Sequence, residues 1–429
     1  MKKLTPLLCS ICMAVLSPWT AVHAEDYTYP PPPDIASEAA ILMEAETGQV
    51  LYGKSERKRM EPASLTKIMT CLLAAELWDG SEEPITITQE MLYGIDEESS
   101  TMDLVPEESL PMPDLLCGLM LPSANDAANA IAVTLGGSID GFVDDMNARA
   151  AELGLTGTHF ENPHGLPSDN HYSTAYDLAA LTREAVQNET FMRFAGAAEH
   201  DIPATPLSEE RHMDHTNRTL CPDHEWYYSD AIAGKTGWTR RAGHCLMTAA
   251  RRDGMTLICV VMRAGSQENE YKDTTALLDY GFEQFKRASI DCTPYDNTQI
   301  TLQGEKGEPR RAVLSLRERK FTAVVPRDAQ GDMMVFSLPN GESITDGDYA
   351  DALLSWSDQV SGAPKEPIRK VQVRVWVEEV REASAPAQAE VTEPSQEPED
   401  QGKLGIALGG IGGMLILTSA IQLFRKKKG

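Results

Sequence analysis

"PASLTKIMT", Pro62 to Thr70, is the stretch on which the rest of the chain turns. It sets Ser64 and Lys67 three residues apart at the head of an apolar run that reaches Trp78. At that spacing on a helix, two side chains share a face one turn apart. One reading is an N-capping serine followed by a solvated lysine. The other is a nucleophile and its base. A serine hydroxyl becomes reactive when a neighbour takes its proton, and a lysine can do so if burial or nearby positive charge lowers its pKa. Nothing inside the nine residues separates the two.

Two later stretches do. "LPSANDAANA" supplies Ser123 and Asn125 at a break between two apolar helical runs. "AGKTGWT" supplies Lys235, Thr236 and Gly237 just ahead of a strand-like run. Taken singly these are a cap, a turn glycine and a surface lysine. Taken in order, Ser-x-x-Lys, Ser-x-Asn and Lys-Thr-Gly form the motif set of penicillin-binding proteins and serine β-lactamases.

The chain resembles the low-molecular-mass penicillin-binding proteins, the serine-type D-alanyl-D-alanine carboxypeptidases of the peptidase S11 family. The likeness runs from about Ala36 to Phe285, through "AILMEAETGQVLY", "PASLTKIMT", "SANDAANAIA", "NPHGLPSDNHYSTAYDLAAL" and "GKTGWTRRAGHCL". It implies the fold of β-lactamases and DD-peptidases and a peptidoglycan stem peptide ending in D-Ala-D-Ala as substrate, with β-lactams as covalent inhibitors. By position it implies Ser64 as nucleophile, Lys67 as general base and Ser123 as proton relay. Asn125, Lys235, Thr236 and Gly237 would hold the substrate, and the backbone N–H groups of Ser64 and Trp238 would form the oxyanion hole. Members of the family often carry a second basic residue after the strand that follows Lys-Thr-Gly. Here "RAGSQENEYKD" offers Arg263 and Lys272, and neither stands at the expected place. The resemblance assigns no cofactor and no metal. His164, His171, His212 and His215 look like a ligand set only at a glance. Asp126 is expected to cap the next helix, and Asp169 and Asp177 to order a loop and a helix start.

Pattern alone gives an α+β architecture. "AILMEAETGQVLY" reads as a β-hairpin, and "CLMTAARRDGMTLICVVMRA" as a second one turning at Asp253-Gly254. Between them, helices are expected over 65–78, 111–121, 125–135, 142–153 and 175–186, with another over 274–285. The simplest packing is one antiparallel sheet flanked by helices. After about 290 the short runs "TQITLQG", "AVLSLRE", "FTAVVPR", "MMVFSLP" and "VQVRVWVEEV" read as a small all-β domain.

The 429 residues suggest two domains with appendages. A net charge of −27 excludes a nucleic-acid partner, because no basic footprint stands in the body of the chain. Residues 1–24 read as an export signal, with Lys2 and Lys3 before an apolar run and small residues near Ala24. The expected order is then a Pro-rich lead-in (25–35), a catalytic domain (36–288), a β-rich domain (289–381) and a flexible linker (382–403). An uncharged span follows at 404–424, long enough for a transmembrane helix, with a basic tail at 425–429. By the positive-inside rule, that tail is cytoplasmic and the body faces outward from the cell membrane. Of the eight cysteines, Cys9 and Cys12 leave with the signal, and the other six show no zinc spacing.

Two rivals share features with this reading. A class A-like β-lactamase would carry a Glu-x-x-Leu-Asn loop between Asn125 and Lys235, where Glu161 is followed instead by Asn-Pro-His-Gly. A non-catalytic peptidoglycan-binding protein would have no use for an intact Ser64 and Lys67.

Overall fold

The computed structural model describes residues 28–95, 99–293, 296–303, 309–329, 333–337, 349–358, 360–365, 367–377 and 403–405. The chain divides into two units. One comprises Tyr29–Ala288 with Thr322–Ala329; the other includes Ser289–Phe321 and the described residues after 329.

The first unit is built on a five-stranded antiparallel sheet. The opening hairpin is β1 (Ala39–Glu44) and β2 (Val50–Lys54). A 3₁₀ turn, Ala63–Thr66, runs into α1 (Lys67–Leu77). A short strand pair, β3 (Ile85–Thr86) and β4 (Ser109–Leu110), precedes α2 (Met112–Met120), α3 (Asn125–Gly136) and α4 (Ile139–Glu152). Then come α5 (Ala175–Ala185), α6 (Glu189–Ala195) and a small hairpin of β5 (Glu199–Ile202) and β6 (Arg211–Asp214). The chain returns to the sheet with β7 (Ala231–Thr239), β8 (Gly243–Arg252) and β9 (Met255–Met262), and continues into α7 (Gln267–Gln284). The sheet order is β2-β1-β9-β8-β7.

The sheet is covered on both sides, which explains why β1, β8 and β9 read as near-continuous apolar runs rather than alternating ones. Ile41, Met43, Met247, Ile258 and Val260 enter the main core with helices α1 to α6. The opposite face meets α7. A Cβ on Gly281 of that helix would lie 2.4 Å from Leu257 Cδ1 and 2.8 Å from Leu42 Cδ2, so only glycine allows so close an approach.

Several elements start elsewhere than the sequence pattern suggests. Helix α7 begins seven residues before Thr274, because Ser266 accepts a hydrogen bond from Asn269 N and caps it. Helix α4 begins at Ile139, with Ser138 capping through Gly141 N. Lys235, Thr236 and Gly237 lie inside β7, not ahead of a strand. The six cysteines from Cys71 to Cys292 are free thiols; five are buried.

The second unit holds β11 (Thr298–Gln303), β12 (Pro309–Leu316), β14 (Met334–Ser337), β15 (Tyr349–Trp356) and β16 (Arg369–Val377), numbered after β10 (Phe285–Asp291) and β13 (Lys320–Pro326). They form one antiparallel sheet, β11-β12-β16-β15-β14. Strand β15, absent from the sequence reading, alternates strictly between buried residues and exposed or half-buried ones, as a one-faced strand should. A last strand, β17 (Lys403–Gly405), pairs parallel with Ser289–Asp291. The helix expected from Leu404 therefore does not begin there, because the backbone at 403–405 satisfies its hydrogen bonds on the edge of β10. The rest of that span, the basic tail, the signal at 1–24 and nearly all of the linker lie outside the described residues. Among the described residues, no helix is long and apolar enough to cross a membrane.

Candidate active site

Ser64 occupies the 3₁₀ turn rather than the helix cap. Its side chain caps neither the turn nor α1. The turn is entered through Ala63 at φ +50, a conformation alanine rarely adopts. Its surroundings hold it there. Thr66 Oγ1 donates to Ala63 O at 2.8 Å and lies 2.7 Å from His171 Nε2. His171 Nδ1 accepts from Glu161 N, so the other ring nitrogen carries the proton toward Thr66. Gly165, at φ +92, passes so close that a Cβ would stand 1.9 Å from Ala63 O.

Lys67 is fully buried. Its Nζ lies 3.0 Å from Ser64 Oγ, 2.7 Å from Asn125 Oδ1 and 2.8 Å from the carbonyl of His164. Burial, and then the charge of Lys235, push its pKa well below the usual lysine range, while Asp126 acts in the opposite direction. Asn125 opens α3, and the preceding Ser123 stands at φ +67 with its hydroxyl buried and without a hydrogen-bond partner among the described residues. Asp126 is not the cap expected of it, since α3 is entered through Ala124 and Asp126 lies in its first turn. Its carboxylate accepts from the N–H groups of Met102, Leu104 and Ala127, and so ties the 102–104 segment to α3. Asn125 N donates to Ser100 O, which brings Ser100 to the site.

Strand β7 closes the other side. Lys235 pairs in register with Met247, so its side chain enters the face covered by α1 to α6. It is fully buried, and burial lowers its pKa to about 7. Its Nζ donates to Thr236 O at 3.0 Å. Gly237 lies against the nucleophile turn. A Cβ there would be 3.0 Å from Pro62 O, 3.1 Å from Ser64 N and 3.2 Å from Leu65 N. Thr236 and Trp238 pair with Leu246 and His244 and face the α7 side. Thr236 Oγ1 is 2.7 Å from Thr216 Oγ1, and Trp238 is 62% exposed.

Ser64, Ser123, Thr236, Gly237 and Trp238 open onto a pocket of about 330 Å³ that is also lined by Ser100, Thr216, His244, Gln267 and Glu270, while Lys67, Asn125 and Lys235 lie behind its wall. Ser100, Thr216, His244, Gln267 and Glu270 carry no signal in the linear sequence; register and α7 packing bring them in. The two basic residues after β9 are engaged elsewhere. Arg263 pairs with Glu38 and donates to Arg241 O, and Lys272 pairs with Glu268.

The four histidines do not gather. His164 and His171 support the nucleophile turn, His215 is buried with Nδ1 accepting from Asn217 N, and His212 is exposed beside Asp201 and Asp214. Among the described residues, the group with metal-ligand spacing is the fully exposed Glu199, His212 and Asp214. Asp177 accepts from Gly157 N and Thr158 Oγ1 and orders the loop before α5, while the exposed Asp169 meets Arg241 at 3.4 Å.

Residues 26–266 match the peptidase S11 family, described as D-alanyl-D-alanine carboxypeptidase. The chain belongs to that family. It is 35% identical over 256 residues to the D-alanyl-D-alanine carboxypeptidase DacF of Bacillus subtilis, a match that takes in 59% of this chain and 64% of that one. It is 31% identical to DacC of Escherichia coli over 73% of this chain and 82% of that one. The solved DD-transpeptidase of Streptomyces K15 superimposes with a TM-score of 0.55 at 31% identity, over 59% of this chain and all of that one. The DacD structure from Francisella tularensis, 22% identical, aligns over 81% of this chain and 94% of its own with a TM-score of 0.62, and shares the fold.

Proposed function

We infer that this family member is a serine-type D-alanyl-D-alanine carboxypeptidase acting on peptidoglycan stem peptides through an acyl-enzyme on Ser64. The observation that carries the reading is Lys67 Nζ, buried and held 3.0 Å from Ser64 Oγ by Asn125 and the His164 carbonyl. Neutral Lys67 takes the Ser64 proton as Oγ attacks the carbonyl between the two terminal D-alanines. The oxyanion sits against the backbone N–H groups of Ser64 and Trp238, which the close approach of Gly237 to the turn brings together. Ser123 passes the proton to the leaving amine, the C–N bond breaks and D-alanine departs. Lys235, as the ammonium, and Thr236 hold the terminal carboxylate, and Asn125 the peptide backbone. Water then cleaves the ester and restores Ser64.

A β-lactam enters by the same step, and its ring-opened ester stays on Ser64. The signal-like start and the uncharged stretch 404–424 before Arg425–Lys428 support a body tethered outside the cell membrane.

One assay tests the chemistry. The protein is incubated with a D-Ala-D-Ala-ended peptide and, separately, with labelled benzylpenicillin. Free D-alanine and a long-lived adduct on Ser64 are expected. Rapid turnover of penicillin would replace this reading with a β-lactamase, and neither signal would leave a binding protein.

A further inference from the structure

The pocket wall on the α7 side carries an acid. Glu270 lines the pocket with Thr236, Trp238 and His244. Thr236, Trp238 and His244 share the sheet face against which α7 packs, so the Glu270 side chain comes to the pocket from the same side as the Thr236 hydroxyl. Its side chain is only 3% exposed. Among the described residues no hydrogen bond reaches its carboxylate, and the nearest cation-capable group is His244 Nδ1 at 3.8 Å. The other ionisable groups whose titration its charge affects are Tyr271 on its own helix and Cys245, which points to the opposite face of the sheet. Arg263 and Lys272, as described above, point their charges elsewhere. A buried carboxylate with so few partners is a poor anion.

We infer that Glu270 is the second group of the carboxylate subsite: as a neutral acid it donates a hydrogen bond to the terminal carboxylate of the peptide, and as an anion it repels that carboxylate. The inference rests on the carboxypeptidase reading and adds a specificity residue to it. Burial supports it, raising the Glu270 pKa to about 8, so the acid form prevails at neutral pH. The sign follows directly. Below about 8 Glu270 is a donor; above it the site gains a negative charge beside the ligand's own, and ligands with a free carboxylate bind less well. Lys235, at about 7, adds a second loss of grip over a lower range. That loss is common to any variant that keeps Lys235, so a Glu270 variant isolates the Glu270 component.

The test compares the full chain with Glu270→Gln, which keeps a neutral donor at every pH. KM and kcat for a D-Ala-D-Ala-ended peptide are measured from pH 6 to 9.5, as are acylation rates with benzylpenicillin and with its uncharged methyl ester. In the parent, KM should rise between pH 7 and 9 by about tenfold more than in the variant, the factor by which a group of this pKa loses its proton, with kcat alike in both. Benzylpenicillin acylation should show the same difference, and the methyl ester should not. Glu270→Arg should bind the peptide more tightly than the parent at pH 9. Identical pH profiles for the parent and the Gln variant would overturn the inference. So would a longer-lived penicillin adduct in the variant, which would make Glu270 the group that activates water. Absence of any adduct or D-alanine in the parent would remove the carboxypeptidase reading and the inference with it.

Discussion

Lys67, behind the nucleophile, and Glu270, on the pocket wall, are both buried ionisable groups, and they are surrounded in opposite ways. Lys67 Nζ has three oxygen partners within 3.0 Å, all from elements whose backbones are themselves pinned. Among the described residues the Glu270 carboxylate has one cation-capable neighbour, at 3.8 Å. Around Lys67, burial is offset by acceptors fixed in place, and the amine's pKa is held well below the usual lysine range. Around Glu270, burial is left without such partners among the described residues, on a surface that faces the pocket. The contrast teaches that burial perturbs both groups, and that the partners around each decide what the perturbation can serve.

Five changes would break or sharpen that contrast. The largest effect is expected from Ser64→Ala. D-alanine release should fall by at least about 10⁴-fold and penicillin labelling should vanish, since the nucleophile is lost; residual labelling at another residue in peptide mapping would show the nucleophile misassigned. Lys67→Ala should lower acylation by roughly 10²–10⁴-fold, the usual worth of a general base. Thermal unfolding of the same sample checks that loss of the amine from its three partners has not unfolded the site.

Next comes Gly237→Ala. Its methyl must push the Pro62–Leu65 backbone, and a shift of that kind is expected to slow acylation by about 10²-fold with little change in melting temperature. Lys235→Met removes a charge that lowers the Lys67 pKa. The Lys67 pKa should then rise, so the acid limb of acylation by a neutral β-lactam ester should move to higher pH; an unmoved limb would uncouple the two lysines. Thr216→Val is the mildest. It takes one hydrogen bond from Thr236 and should raise KM severalfold, as the loss of about 1 kcal/mol implies, with kcat intact.

The contrast also marks what a sequence can disclose. Ser64, Lys67, Ser123, Asn125, Lys235 and Gly237 were legible because their chemistry comes with fixed local spacing. The paired hairpins and most helices were legible through their periodicity and caps. Glu270 was not. It sits in "SQENEYKD", a polar run that looks like a solvated helix start, and it becomes a pocket residue only because Ser266 begins α7 early. Thr216 and His244 likewise depend on contacts across distant segments. The Lys-Thr-Gly stretch was misread as a prelude to a strand, since two glycines in four residues weaken strand pattern. They are there for closeness: a Cβ on Gly234 would fall 1.9 Å from Asn217 Nδ2, and Gly237 meets the nucleophile turn. In the second unit only pattern was available, and β15 was missed because alanine, aspartate and serine dilute its apolar positions.

One feature of the chain path sets the order in which the enzyme can be made. The segment Thr322–Ala329 belongs to the first unit, where Gln49 exchanges two hydrogen bonds with the backbone of Val324. A chain that has been synthesised only as far as Ala288 therefore holds the whole catalytic motif set but lacks a piece of its own fold. Completion waits until Ala329 has emerged, by which time the first strands of the following sheet are already available. A gene cut at the apparent domain boundary would encode every catalytic residue and leave Gln49 with two unanswered buried hydrogen-bonding groups.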